Sequence, residues 1–228
     1  MLVVRLLLLH GFTATGRSWD PVRRHLDAQR YPQIVAPDLR APSIPAQVEA
    51  LKQTEPYALA GYSMGGRIAL HLVLAQPDLV RRLVLVSTTA GIEDPRERAA
   101  RRAADERLAE EIERDGVEAF IAKWEQSPLF AGQPPEVRAA ARADRLTHSA
   151  APLAATLRGL GTGVMEPVWA RLDEVTAEAI VLVGERDPKF RALGERLAAE
   201  LPRGELRVVA GAGHAVHLEA PEAVASAL

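Results

Sequence analysis

Ser63 stands between two glycines in Gly61-Tyr62-Ser63-Met64-Gly65, after a short apolar run and before a stretch with helical periodicity. In that context the small residues allow a sharp turn that lifts a hydroxyl above a sheet edge, near the start of the next helix. A hydroxyl is a poor base and a poor nucleophile alone. It needs an imidazole within hydrogen-bond reach and a carboxylate to fix that imidazole's tautomer. Among the six histidines, His214 is the best placed, in the loop Gly211-Ala212-Gly213-His214 after the last strand-like run. His217 is expected to face elsewhere, and His25, His71 and His148 are expected on helices. The acid should follow the preceding strand, in Gly184-Glu185-Arg186-Asp187-Pro188, where Asp187 fits best and Glu185 is the alternative. Negative charge developing on a substrate oxygen calls for fixed donors, and the backbone amides of Phe12, after His10-Gly11, and of Met64 are the candidates for an oxyanion hole.

These groups must be held by a scaffold, and its elements are legible as short Leu- and Val-rich runs separated by helical stretches. The runs Val3–Leu9, Gln33–Ala36, Tyr57–Ala60, Leu83–Val86, Ile180–Val183 and Leu206–Val209 read as strands. Trp19–His25, Ala46–Gln53, Gly66–Ala75 and Phe190–Glu200 read as the helices between them. Near-continuous apolar strands alternating with helices predict an α/β fold with a mostly parallel sheet covered on both faces. The order Ser63, Asp187, His214 is that of α/β-hydrolases rather than of chymotrypsin or subtilisin. From Ile92 to Val164 the strand-like runs stop, and helices broken at Gly116, Pro128, Pro134-Pro135 and Gly159 are expected. The expected organisation is a core of 1–91 and 165–228 with a helical cap, or lid, inserted at 92–164.

Composition narrows the function. Twenty-eight basic and 30 acidic residues give a formal charge of −2, which offers no electrostatic footprint for nucleic acid or an anionic membrane. The absence of cysteine removes thiolate chemistry and sulfur-ligated metals. No dinucleotide or phosphate-binding glycine loop and no metal-ligand spacing is present, so neither cofactor nor metal is expected. The apolar opening Leu2 to Leu9, interrupted by Arg5, is too short to span a bilayer. It reads as a strand rather than an export signal, with a cytoplasmic location as the default.

Over nearly its whole length the sequence resembles the α/β-hydrolase superfamily, and within it the 2-succinyl-6-hydroxy-2,4-cyclohexadiene-1-carboxylate synthases of menaquinone biosynthesis. The likeness rests on Leu9-His10-Gly11-Phe12-Thr13, the Ser63 elbow continued to Gly66-Arg67, Ser127-Pro128-Leu129-Phe130, Leu157-Arg158-Gly159-Leu160-Gly161-Thr162-Gly163, Asp187-Pro188-Lys189-Phe190 and Gly213-His214-Ala215-Val216-His217-Leu218-Glu219. The resemblance implies a lyase that eliminates pyruvate from 2-succinyl-5-enolpyruvyl-6-hydroxy-3-cyclohexene-1-carboxylate, with Ser63 acting as a base and no acyl-enzyme. It also implies guanidinium partners for a small polycarboxylate: Arg67 one turn beyond Ser63, and by position Arg101, Trp124 and Arg145 in the cap, with Arg102 and Arg142 as near alternatives. Tyr62 is a further candidate contact.

The pattern departs from the family at Thr88-Thr89-Ala90-Gly91 and Arg40-Ala41-Pro42, and the hairpin that usually precedes the His10 strand is expected to be shortened or missing. Two rival readings remain: a serine hydrolase acting on esters or carbon–carbon bonds, and a ligand-binding homologue without turnover.

Overall fold

The computed structural model describes residues 5–228. Six strands form one sheet in the order β2-β1-β3-β4-β5-β6: β1 Arg5–Leu9, β2 Ile34–Val35, β3 Tyr57–Tyr62, β4 Val80–Val86, β5 Glu178–Gly184 and β6 Gly204–Val209. Every ladder between them is parallel. Parallel neighbours need crossovers, and the crossovers put helices on the sheet faces. On one face lie α2 (Ile44–Leu51), α3 (Met64–Ala75) and α7 (Pro188–Glu200), packed with Leu7 and Leu9 of β1. On the other lie α1 (Asp20–Arg23), α8 (Val216–Glu219) and α9 (Pro221–Ala227), packed with Leu6 and Leu8. The two-residue period of a strand splits one apolar run between two cores. Central β3 is buried along its whole length, whereas edge strand β6 is only partly covered.

Between β4 and β5 come α4 (Pro95–Trp124), α5 (Pro135–Arg145) and α6 (Ala150–Leu160). They bury a separate apolar cluster that includes Ile112, Phe120, Ile121, Leu153 and Leu157. Thr15, in the loop after β1, donates to Asp144 of α5 from its backbone N at 2.9 Å and from its Oγ1 at 2.5 Å. Arg186 donates to the Gly132 carbonyl oxygen at 2.8 Å. These contacts tie the helical segment to the sheet end where the site lies.

Several expectations shift in detail. Val3 and Val4 lie outside the described residues. β2 is shorter than expected, and β3, β4, β5 and β6 each extend beyond the run read from hydrophobicity. The Trp19–His25 helix is instead a 3-10 turn, Gly16–Trp19, followed by the single turn of α1, because Pro21 starts a helix that the following polar residues do not sustain. His25 therefore lies beyond α1, and His148 lies between α5 and α6 rather than on a helix. Gly116 bends α4 through a positive φ of 84°. Gly159 does not break α6, which runs on to Leu160. Among the described residues no helix is long and apolar enough to cross a membrane.

Candidate active site

The strand order reverses between β1 and β3, and a parallel sheet opens a crevice at the carboxyl ends of strands on either side of such a switch. Phe12 follows β1 there and Ser63 follows β3. Ser63 has φ 50° and ψ −106°, a sparsely populated conformation for a residue with a side chain, costing about 1–3 kcal/mol. The turn is held by close packing and by hydrogen bonds. A Cβ on Gly65 would lie 2.1 Å from the Leu9 carbonyl oxygen, so only glycine lets α3 start this close to β1. Thr88 Oγ1 donates to the Ser63 carbonyl oxygen at 2.7 Å.

His214 reaches Ser63 from the loop after β6. Its Nε2 lies 3.2 Å from Ser63 Oγ, and its Nδ1 lies 2.6 Å from Asp187 Oδ2. An ionised carboxylate only accepts, so Nδ1 carries the proton and Nε2 is left to accept from the serine. Asp187 also caps α7, its Oδ1 accepting from the Phe190 N at 3.3 Å. Asp at the cap with Pro at the first helical position is a favoured helix start, which orients the carboxylate before any ligand arrives. Glu185, the alternative acid, accepts instead from the Gly211 N at 2.8 Å. Both Asp187 and His214 are buried.

The hydroxyl opens into a cavity of about 790 Å³ lined by Phe12, Tyr62, Met64, Arg67, Arg101, Trp124 and His214. Met64 begins α3, where first-turn amides have no helical acceptor. Arg67 is buried under this cavity, its Nη2 donating to the Leu160 carbonyl oxygen at 2.7 Å. Burial and the neighbouring Arg101 lower its pKa to about 10, against an opposing pull from Asp105. Trp124 meets Phe12 edge-on, with ring centroids 5.6 Å apart.

Arg145 is also buried but does not line this cavity. It lines a smaller one of about 290 Å³, with His217, and donates to Glu125 Oε1 at 3.3 Å. Tyr62, Phe12 and Phe130 wall both spaces. Among the described residues no group of three or more His, Asp or Glu side chains is arranged to hold a metal.

The described alpha/beta hydrolase family matches residues 6–227. The chain belongs to the alpha/beta hydrolase family. A Bacillus subtilis (strain 168) relative, which carries the name 2-succinyl-6-hydroxy-2,4-cyclohexadiene-1-carboxylate synthase provisionally, is 36% identical over 93% of this chain and 84% of its own. The synthase of that name from Klebsiella pneumoniae is 31% identical over 98% of this chain and 91% of its own. The solved structure of MenH from S. aureus superposes with a TM-score of 0.92 at 27% identity, covering 99% of this chain and 92% of that one. A thermophilic esterase from Thermogutta terrifontis has the same fold, with a TM-score of 0.80 at 25% identity over 98% of this chain and 87% of its own. Within the alpha/beta hydrolase family, the relatives place this chain among the synthases.

Around the site the structure also places groups that motif reading passes over. Glu219 accepts from the Gly213 N at 2.8 Å and from Arg186 at 3.0 Å, which fixes the loop carrying His214. Glu125 takes both Arg142, at 2.6 Å, and Arg145. Arg196 lines the main cavity, stacks on Trp169 and pairs with Glu93. Only the Glu at the end of the His214 motif carried a signal in the sequence; the partners of the other two are distant along the chain.

Proposed function

We propose that this chain eliminates pyruvate from 2-succinyl-5-enolpyruvyl-6-hydroxy-3-cyclohexene-1-carboxylate, giving 2-succinyl-6-hydroxy-2,4-cyclohexadiene-1-carboxylate in menaquinone biosynthesis. Ser63 Oγ removes the proton from the ring carbon beside the succinyl ketone while its own proton passes to His214 Nε2. The imidazolium so formed is stabilised by Asp187. The released electron pair moves into the ring as the C5–O bond breaks, and the enolpyruvyl group leaves, takes a proton and becomes pyruvate. The ketone oxygen gathers charge during the step, and the Phe12 and Met64 amides are the donors for it.

The observation that carries this reading is a buried cation on the helix that begins at the elbow serine. Arg67 is inside the protein one turn from Ser63 and faces the cavity, a costly placement that the carboxylate of Asp105, already bonded to Arg101, offsets only in part, which leaves a place for a further anion. A polycarboxylate substrate supplies that anion, and Arg67 and Arg101 are its binding groups, with Trp124 and Tyr62 shaping the wall. Arg145 contributes from the adjoining cavity once released from Glu125. The helices of 92–164 serve as a lid over the core of 1–91 and 165–228. A cytoplasmic location goes with this reading.

The test is release of pyruvate from the enolpyruvyl substrate by the purified protein, followed with lactate dehydrogenase. Ser63→Ala is expected to lower kcat by about 10³-fold or more with little change in KM. The rival reading, a serine esterase, is favoured by the likeness to the Thermogutta enzyme. A burst of nitrophenol from a nitrophenyl ester, stoichiometric with protein and without pyruvate release, would establish it instead.

A further inference from the structure

Asp105 is a buried acid to which the reaction assigns no work. It lies on α4 one turn after Arg101 and is 5% exposed. Its Oδ1 accepts from Arg101 Nε at 2.8 Å, and its Oδ2 has no partner among the described residues. Arg67 approaches from the core side, bonded through Nη2 to the Leu160 carbonyl oxygen, and its Nε has no partner among the described residues. The chain between these groups is the glycine-rich end of α6. A Cβ on Gly161 would lie 2.7 Å from Asp105 Oδ2, and one on Gly163 would lie 2.3 Å from the Arg102 N. Those glycines let the segment after α6 press directly on the turn of α4 that carries Arg101 and Asp105.

Two guanidinium groups in one wall repel each other, and they differ in their freedom to separate. Arg67 is enclosed by the core, whereas the Arg101 side chain is 43% exposed and can swing into water. An anion seated beside Arg101 Nε opposes that escape and leaves both Nη groups for a ligand. The same carboxylate also acts on the charge of buried Arg67, so its removal is expected to cost stability as well as to free Arg101.

We propose that Asp105 is a positioning residue that holds Arg101 over the cavity beside Arg67, so that the two guanidinium groups meet one substrate carboxylate as a preformed pair. The inference rests on the reading of Arg67 and Arg101 as carboxylate-binding groups. Preorganisation of a binding group remote from the reacting carbon acts on ground state and transition state alike, so its loss appears in KM rather than in kcat.

The experiment compares Asp105→Asn and Asp105→Glu, each alone and combined with Arg101→Ala, in pyruvate release from the enolpyruvyl substrate, with thermal unfolding recorded in parallel. Asp105→Asn is expected to raise KM about tenfold with kcat changed less than about threefold, and Asp105→Glu to recover part of the loss. In the Arg101→Ala background Asp105→Asn should add less than about twofold, since its route of action is gone. A full effect of Asp105→Asn in that background, or an unchanged KM in Asp105→Asn alone, would overturn the proposal. If Asp105→Asn does not fold, Asp105→Glu carries the same comparison, because it keeps the charge and displaces the contact. An unchanged KM in Arg101→Ala would remove the carboxylate reading of Arg101 and this proposal with it, while Ser63-dependent pyruvate release would stand.

Discussion

His217 is fully buried, 4.0 Å from the Tyr62 ring and 5.1 Å from that of Trp19, with both ring nitrogens unpartnered among the described residues. Burial, with His214 and Arg145 nearby, lowers its pKa to about 3. The folded protein therefore keeps it neutral where the unfolded chain takes up a proton, and stability falls as pH drops below the ordinary histidine value. One such group gives a slope of about 1.4 kcal/mol per pH unit. His10, whose Nε2 accepts from the Leu39 N at 2.9 Å, is lowered by burial too and adds in the same direction. Urea unfolding midpoints should fall between pH 7 and about 5.5, above the range in which most carboxylates titrate, and His217→Phe should flatten that fall by up to one proton's share. An unchanged slope in the variant would show that His217 is charged in the folded state. The meeting of Ser63, Asp187 and His214 was legible because each occupies a loop directly after a strand, and strand ends are marked by short-range pattern. The burial of His217 against Tyr62 was not, since His217 lies on the single turn of α8, and the direction of so short a turn is decided by what packs on it rather than by local pattern.

The elbow joins β3 to α3, and its geometry depends on contact with β1 as much as on its own residues. Gly65→Ala would place a methyl against the Leu9 and His10 carbonyl oxygens, and backbone cannot yield as a side chain does. Overpacking of this kind costs about 1–3 kcal/mol or more, which for a chain of this size lowers Tm by about 2–4 °C per kcal/mol. Calorimetry should show that loss together with reduced kcat, because Ser63 would be displaced; a variant with unaltered Tm and kcat would mean that α3 can shift freely. Strand existence was readable from apolar runs, since buried parallel strands are hydrophobic on both faces. Strand ends were less so: β4 begins at Val80 and passes through Arg81 and Arg82, which hydrophobicity excludes but ladder hydrogen bonds require. The single turn of α1 in place of a longer helix has a local cause: after Val22, which packs in the core, Arg23, Arg24 and His25 offer no apolar side chain to continue it.

The helical segment and the core meet at few polar points, of which Thr15 with Asp144 is the most direct. Hydrogen bonds to a charged group contribute about 1.5–3 kcal/mol each. Asp144→Ala should therefore increase hydrogen exchange across α5 and raise KM several-fold, while exchange in β3 and β4 stays the same. Equal exchange in α5 with and without the substitution would show that the segment is held by its apolar contacts. The α/β order, the elbow and the sequence of Ser63, Asp187 and His214 followed from the chain, because strand periodicity, turn glycines and helix caps act over a few residues. The disposition of the arginines did not. Arg67 and Arg101 line the main cavity while Arg145, held by Glu125, lines its neighbour. That choice depends on how α4, α5 and α6 pack over the sheet, bringing together side chains far apart in sequence, and no local pattern encodes it.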